Sequence, residues 1–225
     1  MNKTLIEFLD VTKYYDKRLV LEKISFKIEE KSIVTLVGPN GAGKTTVSKL
    51  MVDIEKPTSG SIYKSPDITL GYVPQKININ ANLPVKVLSL IEMLTNHKNY
   101  DPEILKFAQV DSVKNHDISE LSGGQLRRVF LTACLLNKAN LIILDEPTKE
   151  LDIMGQKDLY TLIQNLRNEF GITIFIISHD LHTVVQESDY VLCLNKHLCC
   201  YGKPYADNVL ESIGFYKHSH NHSHS

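Results

Sequence analysis

The chain has 225 residues, 43% of them hydrophobic, with 25 Lys and Arg against 26 Asp and Glu, a formal net charge of -1. That length is enough for one sizeable core, or one core with a smaller subdomain. The even charge balance excludes a strong electrostatic grip on nucleic acid, so no nucleic-acid partner is expected. A membrane-spanning helix needs roughly 20 consecutive apolar residues. The apolar runs here, such as Leu141–Leu144 and Ile174–Ile177, are strand-sized. The N-terminus carries Glu7 and Asp10 and no long apolar stretch, so no secretory signal is expected. The expectation is a chain that stays in the cytosol and meets a membrane only through a partner. Its four cysteines, Cys134, Cys193, Cys199 and Cys200, are then expected to be reduced. They form no Cys-x-x-Cys pair, which argues against a structural zinc site.

In chain order, Ile6 and Phe8, then Ile24, Phe26 and Ile28, alternate apolar with polar residues. That two-residue period predicts half-buried antiparallel strands. The denser run Ile33-Val34-Thr35-Leu36-Val37 predicts a strand covered on both faces, ended by Gly38, with a helix from near Lys44. From about Lys76 to Ser119, Leu83, Val85, Val87, Leu88, Leu90, Ile91 and Leu94 fall at helical spacings. Asp101-Pro102 has the form of an N-cap followed by proline at the first helical position. This stretch reads as a small helical insertion. A helix is expected over about Gly124–Leu136, a buried strand over Leu141–Leu144, and a long amphipathic helix over about Ile153–Glu169. Thr173–Ile177 reads as a strand, as do Val191–Leu194 and Leu198–Tyr201. Strands alternating with helices indicate an α/β core. The low-complexity tail His218–Ser225 is expected to be disordered on its own.

The strongest signal is Gly38-Pro39-Asn40-Gly41-Ala42-Gly43-Lys44-Thr45, followed by Thr46. It fits G-x-x-x-x-G-K-[ST] and sits between a strand and a helix, as that phosphate-binding motif requires. Glycines let the backbone wrap a phosphate with inward N–H groups, and the helix N-terminus adds partial positive charge. Lys44 is expected on the β- and γ-phosphates, and the Thr45 hydroxyl on Mg²⁺. The alternative is a chance glycine-rich turn. Leu141–Leu144 then ends in Asp145-Glu146. Neighbouring side chains on a strand point differently, which suits two roles. Asp145 would hold Mg²⁺, and Glu146 would polarise the attacking water as general base.

Between these motifs lies Leu121-Ser122-Gly123-Gly124-Gln125. It resembles the signature of the ABC ATPases, and the resemblance covers about Met1 to Gly202. It implies an α/β P-loop NTPase core with an antiparallel β subdomain and a small helical subdomain. The single ATPase domain would span residues 1–215, with the helical insertion at about 76–135 and a His-rich tail at 216–225. It also implies an ATP-sandwich dimer with a second copy, in which the Ser-Gly-Gly turn of one chain caps the ATP on the other. Ser122, Gly123, Gly124 and Gln125 are then nucleotide-binding in trans, although a plain Ser-Gly-Gly helix cap is the bland alternative. Further family elements appear in order. Tyr15 matches the aromatic that stacks on adenine, with Tyr14 as the alternative. Gln75 matches the glutamine that touches Mg²⁺ and the water. Asp152 matches the loop that crosses the dimer interface, and His179 the switch histidine that holds the γ-phosphate and aligns Glu146. Two positions depart from many relatives: Lys149-Glu150 where Ser-Ala is frequent, and Asp16 where Gly is frequent.

The C-terminal runs Ser178-His179-Asp180-Leu181-His182, Val191-Leu192-Cys193-Leu194-Asn195 and His197-Leu198-Cys199-Cys200-Tyr201-Gly202 resemble the ATP-binding subunits of bacterial high-affinity zinc importers. That resemblance implies ATP and Mg²⁺ as cofactors and an integral-membrane permease as partner. It also implies an indirect link to a periplasmic or surface metal-binding protein, and a place on the cytoplasmic face of the inner membrane. Near Leu83, Pro84 and Val85 the permease is expected to dock. His218, His220, His222 and His224 could chelate entering zinc, since imidazole suits zinc, copper and nickel. The three C-terminal cysteines could instead be small buried apolar residues; adjacent Cys199 and Cys200 in one strand would face opposite sides. Manganese or iron import, and a non-transport ABC ATPase, are the alternatives. A single phosphate loop and no heptad run weigh against the last.

Overall fold

The computed structural model describes residues 3–76, 84–95, 100–149, 151–179 and 187–204. Leu83, Glu150, Leu181, His182 and the tail histidines lie outside them. The elements are β1 (Thr4–Tyr15), β2 (Arg18–Glu29), β3 (Ile33–Val37), α1 (Lys44–Met51), β4 (Ser59–Lys64) and β5 (Leu70–Val73). Then follow α2 (Val87–Thr95), α3 (Pro102–Phe107), two 3₁₀ turns (Asp111–Val113 and Ile118–Glu120) and α4 (Gly123–Leu136). The chain continues through β6 (Leu141–Asp145), α5 (Ile153–Phe170), β7 (Thr173–Ser178), β8 (Tyr190–Asn195) and β9 (His197–Gly202).

Two sheets form. One is three-stranded and antiparallel, in the order β2-β1-β4; the other is six-stranded, in the order β5-β6-β7-β3-β8-β9. The second is parallel throughout except for β9, which returns antiparallel beside β8. Its central strands β3, β6 and β7 are buried at every position and mostly apolar, because both faces are covered. On β6, Leu141 and Ile143 enter the cluster shared with the small sheet and α1, while Ile142 and Leu144 enter the cluster under α4 and α5. On β7, Phe175 and Ile177 divide from Ile174 and Ile176 in the same way. The two sheets meet through aromatic rings: Phe8 stacks on Phe26 at 4.4 Å, and Phe26 lies 6.4 Å from Phe175.

The helical segment has its own small core of Val87, Ile91, Leu105, Val110 and Ile118. Helix α4 ties it to the sheet, with Val129 in that core and Leu131 and Leu135 in the next. The Asp101 cap is present: its side chain accepts from the Glu103 N–H at 2.9 Å, with Pro102 opening α3. Strands β4 and β5 have no counterpart among the elements read from the sequence. β4 is an exposed edge with little apolar content, and β5 has four residues, too few for a period to register. Asp16 has φ +54°, in the left-handed region that favours glycine.

One sequence expectation is corrected. Cys193 and Cys200 are not free thiols but a disulfide, because the β8–β9 hairpin makes them direct cross-strand partners with Cα atoms 4.9 Å apart. The reduced state was inferred from compartment alone, which carries no information about which cysteines meet. Cys134 is a buried thiol, and burial pushes its pKa up to about 12. Cys199 is exposed while Cys200 is buried.

Phe8→Ala would leave a ring-sized void between the two sheets. The substitution is expected to cost about 3–5 kcal/mol, read from the urea midpoint.

Candidate active site

Strand β3 feeds the Gly38–Thr45 loop, and α1 leaves from it. Two of its glycines are required for different reasons. A Cβ on Gly38 would lie 2.1 Å from the Leu194 carbonyl oxygen of β8. Gly43 caps α1 at φ +104°, where a side chain is strained. The turn between β8 and β9 braces the same loop from behind, since the Lys196 N–H donates to the Ala42 carbonyl at 3.1 Å. Ala42 itself is buried in the core under the loop. The Lys44 ammonium donates to the carbonyls of Gly38 at 2.7 Å and Pro39 at 3.2 Å. Burial lowers the Lys44 pKa, while Glu146 and Asp145 oppose that shift.

The acids arrive on β6. Asp145 is 5% exposed, and burial raises its carboxyl pKa. The Tyr72 hydroxyl donates to Asp145 Oδ2 at 3.3 Å and acts against the rise. Burial and the adjacent Asp145 push the Tyr72 pKa up to about 12, so the phenol remains a donor at neutral pH. The next residue, Glu146, has φ +49°, a left-handed backbone on a non-glycine residue that costs roughly 1–3 kcal/mol. Its N–H donates to the Ile177 carbonyl of β7 at 2.9 Å, which holds the strained turn. Glu146 Oε2 lies 2.5 Å from Nδ1 of His179, the residue after β7.

These residues line two adjoining cavities. One, of about 390 Å³, is lined by Tyr15, Gly41, Gly43, Lys44, Thr45, Thr46 and Asp145. The other, of about 580 Å³, is lined by Gly38, Pro39, His179, Lys149 and the β8–β9 strands. Asn40, Gln75 and Glu146 line both. Tyr15 faces the first cavity, with Lys13 Nζ 4.9 Å from its ring centroid. Tyr14 is not among the lining residues. Ser122, Gly123, Gly124, Gln125 and Asp152 come together elsewhere, around a third cavity of about 550 Å³ that shares no lining residue with the first two. There Ser122 caps α4 in a capping box: its hydroxyl accepts from the Gln125 N–H at 3.2 Å, and its own N–H donates to Gln125 Oε1 at 2.9 Å. Asp152 caps α5, accepting from Gly155 N–H at 2.8 Å. The two groups of residues thus line separate cavities within the chain.

Sequence reasoning missed Tyr72, Lys13 and Lys196. Tyr72 stands three residues before Gln75, but its reach to Asp145 depends on β5 pairing with β6. Lys196 acts through its backbone, which leaves no trace in side-chain chemistry.

A parallel sheet with a phosphate loop, buried lysine and acids at its carboxyl edge defines a P-loop ATPase cassette. A sequence profile of the ABC transporter family matches residues 21–149. The chain belongs to that family. It is similar to the zinc import ATP-binding protein ZnuC of Rickettsia bellii, 46% identical with the whole of both chains covered. The Buchnera aphidicola protein of the same name is 39% identical over 98% of each chain. In structure it is similar to a dimeric bacterial ABC transporter cassette, with TM-score 0.76 and 26% identity, covering 90% of this chain and all of the other. Its fold is also that of cbiO1 from Clostridium perfringens, part of the cbiONQ transporter complex, with TM-score 0.79, 23% identity and 96% of each chain covered. Among the described residues no helix is long and apolar enough to cross a membrane.

Asp145→Asn removes a carboxylate whose folded pKa is raised. Such a group binds its proton more tightly in the folded state, so its ionised form costs stability above the folded pKa, and the cost fades as pH falls toward the unfolded value. The variant is therefore expected to melt higher than the parent at neutral pH without nucleotide, with the gap closing on acidification. Gly38→Ala is expected to lose about 1–3 kcal/mol, the usual cost of overpacking, with weaker binding of a fluorescent ATP analogue.

Proposed function

We propose that this chain is the ATP-hydrolysing subunit of a zinc importer, working as an ATP-sandwich dimer beneath an integral-membrane permease. The carrying observation is the division of the site: Lys44, Asp145, Glu146 and His179 gather at one edge, and the Ser122–Gln125 turn opens into a separate cavity. A second copy, packed head to tail, would bring its own Ser122 and Gly124 onto the phosphates. The zinc cargo is supported by the names of the full-length relatives. The indirect partner would be a periplasmic or surface zinc-binding protein, and the site of action the cytoplasmic face of the membrane.

The residues fit this role. Tyr15 offers a ring face to adenine, and the backbone around Gly41, Gly43, Lys44, Thr45 and Thr46, which line the cavity at the helix start, would meet the phosphates, while the Ala42 N–H is bonded to the Pro39 carbonyl. An ammonium has three donors; two of those on Lys44 are committed to loop carbonyls, which fixes its head and leaves one for a phosphate oxygen. Asp145 is a carboxylate whose ionised form is penalised by burial, beside Thr45 and Gln75 on one cavity wall. That donor set fits Mg²⁺, which would neutralise phosphate charge when bound with the nucleotide. Glu146 would take the proton of the attacking water as general base. His179, already against Glu146, would hold that carboxylate in place and meet the γ-phosphate. The helical segment is the expected docking face, with Pro84 exposed and Val85 half-buried on the helical core.

Glu146→Gln is expected to lower ATP turnover by about 10²–10⁴-fold and to trap an ATP-bound dimer on gel filtration. Parent-level turnover would remove Glu146 as the base. Deleting the chain is expected to stop growth under zinc chelation, with rescue by zinc and not by manganese or iron. Rescue by manganese alone would overturn the zinc cargo.

A further inference from the structure

Strands β8 and β9 help line the larger cavity that Gln75 and Glu146 also line, and both Cys193 and Cys199 are among the lining residues. In a regular hairpin the alternation of faces would keep Cys199 away from the Cys193–Cys200 pair. Here the pairing slips: Cys193 faces Cys200, but Leu194 faces Leu198, so Cys199 is the extra residue of a bulge. The slip brings a third sulfur to the side where Cys193 lies. A fourth donor stands next to it, with His197 Nε2 3.6 Å from Cys199 Sγ. With Zn–S near 2.3 Å and Zn–N near 2.05 Å, two ligands of one tetrahedral zinc lie about 3.6 Å apart, the same separation.

We propose that Cys193, Cys199 and Cys200 with His197 form a redox-gated site for a thiophilic divalent cation beside the catalytic cavity, which Cys193 and Cys199 line. In the oxidised hairpin two sulfurs are spent in the disulfide, and among the described residues no three metal-binding side chains are placed to share an ion. A cellular dithiol opens the site. It gives two electrons and two protons to the Cys193–Cys200 bond, becoming a disulfide itself and leaving two thiols. The cation then displaces thiol protons and is held by thiolates and imidazole. The hairpin that closes on it is the one that braces the phosphate loop, through Leu194 against Gly38 and Lys196 on Ala42. Occupancy therefore acts on ATP turnover. Its use as feedback by imported metal rests on the zinc-import reading; the binding itself does not.

The test uses full-length protein with His218, His220, His222 and His224 replaced by Ser, so that the tail cannot contribute, kept reduced with a phosphine. Cobalt is expected to bind at one equivalent with a thiolate charge-transfer band, and zinc to displace it. The disulfide form is expected to give no band. Cys199→Ser and His197→Ala, both exposed positions, are each expected to weaken zinc binding about tenfold or more, or 1.4 kcal/mol. With Mg-ATP fixed, zinc is expected to slow turnover of the reduced parent. Cys199→Ser should keep the basal rate and need several-fold more zinc for the same inhibition. Absence of a thiolate band, or unchanged zinc affinity in both variants, would overturn the site. Loss of zinc-dependent growth rescue with the band intact would overturn the cargo reading instead.

Discussion

Strands β3, β6 and β7 run parallel and in register, so their carboxyl ends arrive at one edge of the sheet. Parallel ladders need both faces covered, and the aromatic contact with the small sheet on one side and α4 and α5 on the other provide that cover. Once the three ends are level, the rest of the site follows. β3 delivers the phosphate loop, β6 the two acids, and β7 the histidine. The one register that pairs Asp145 with Ile177 also lets Ile177 hold the Glu146 N–H. A slip of one residue would turn every core side chain to the opposite face and scatter the site.

The edge carries unresolved charge. Among the described residues, Lys44 donates to carbonyls, Asp145 accepts from a neutral phenol, and Glu146 sits on strained backbone against His179. Burial disfavours the charged forms of Lys44 and Asp145, and the Glu146 backbone is strained. This is the usual position of a functional site, locally unfavourable and held by a rigid surround. The signature turn is different. Its serine accepts from the Gln125 N–H in a capping box, which holds the turn and leaves the hydroxyl proton able to donate.

The β8–β9 hairpin links these themes. It closes the sheet edge, supports the phosphate loop through backbone contacts, and carries the sulfurs on the cavity wall.

Sequence alone determined the elements with strong local signals: the buried strands, the Asp101 cap, the phosphate loop and the acid pair. In each the chemistry and the spacing lie within a few residues, so no folding information is needed to read them. Only tertiary structure decided what depends on distant partners. Tyr15 rather than Tyr14 lines the cavity because the paired strands β1 and β2 turn it that way. Tyr72 meets Asp145 across 73 residues of chain, and Ser122 and Lys44 line separate cavities. The cysteines show the same division most plainly. Their identity and spacing were visible, but whether 193 meets 199 or 200 is set by a bulge, and a bulge is a property of two strands together rather than of either one.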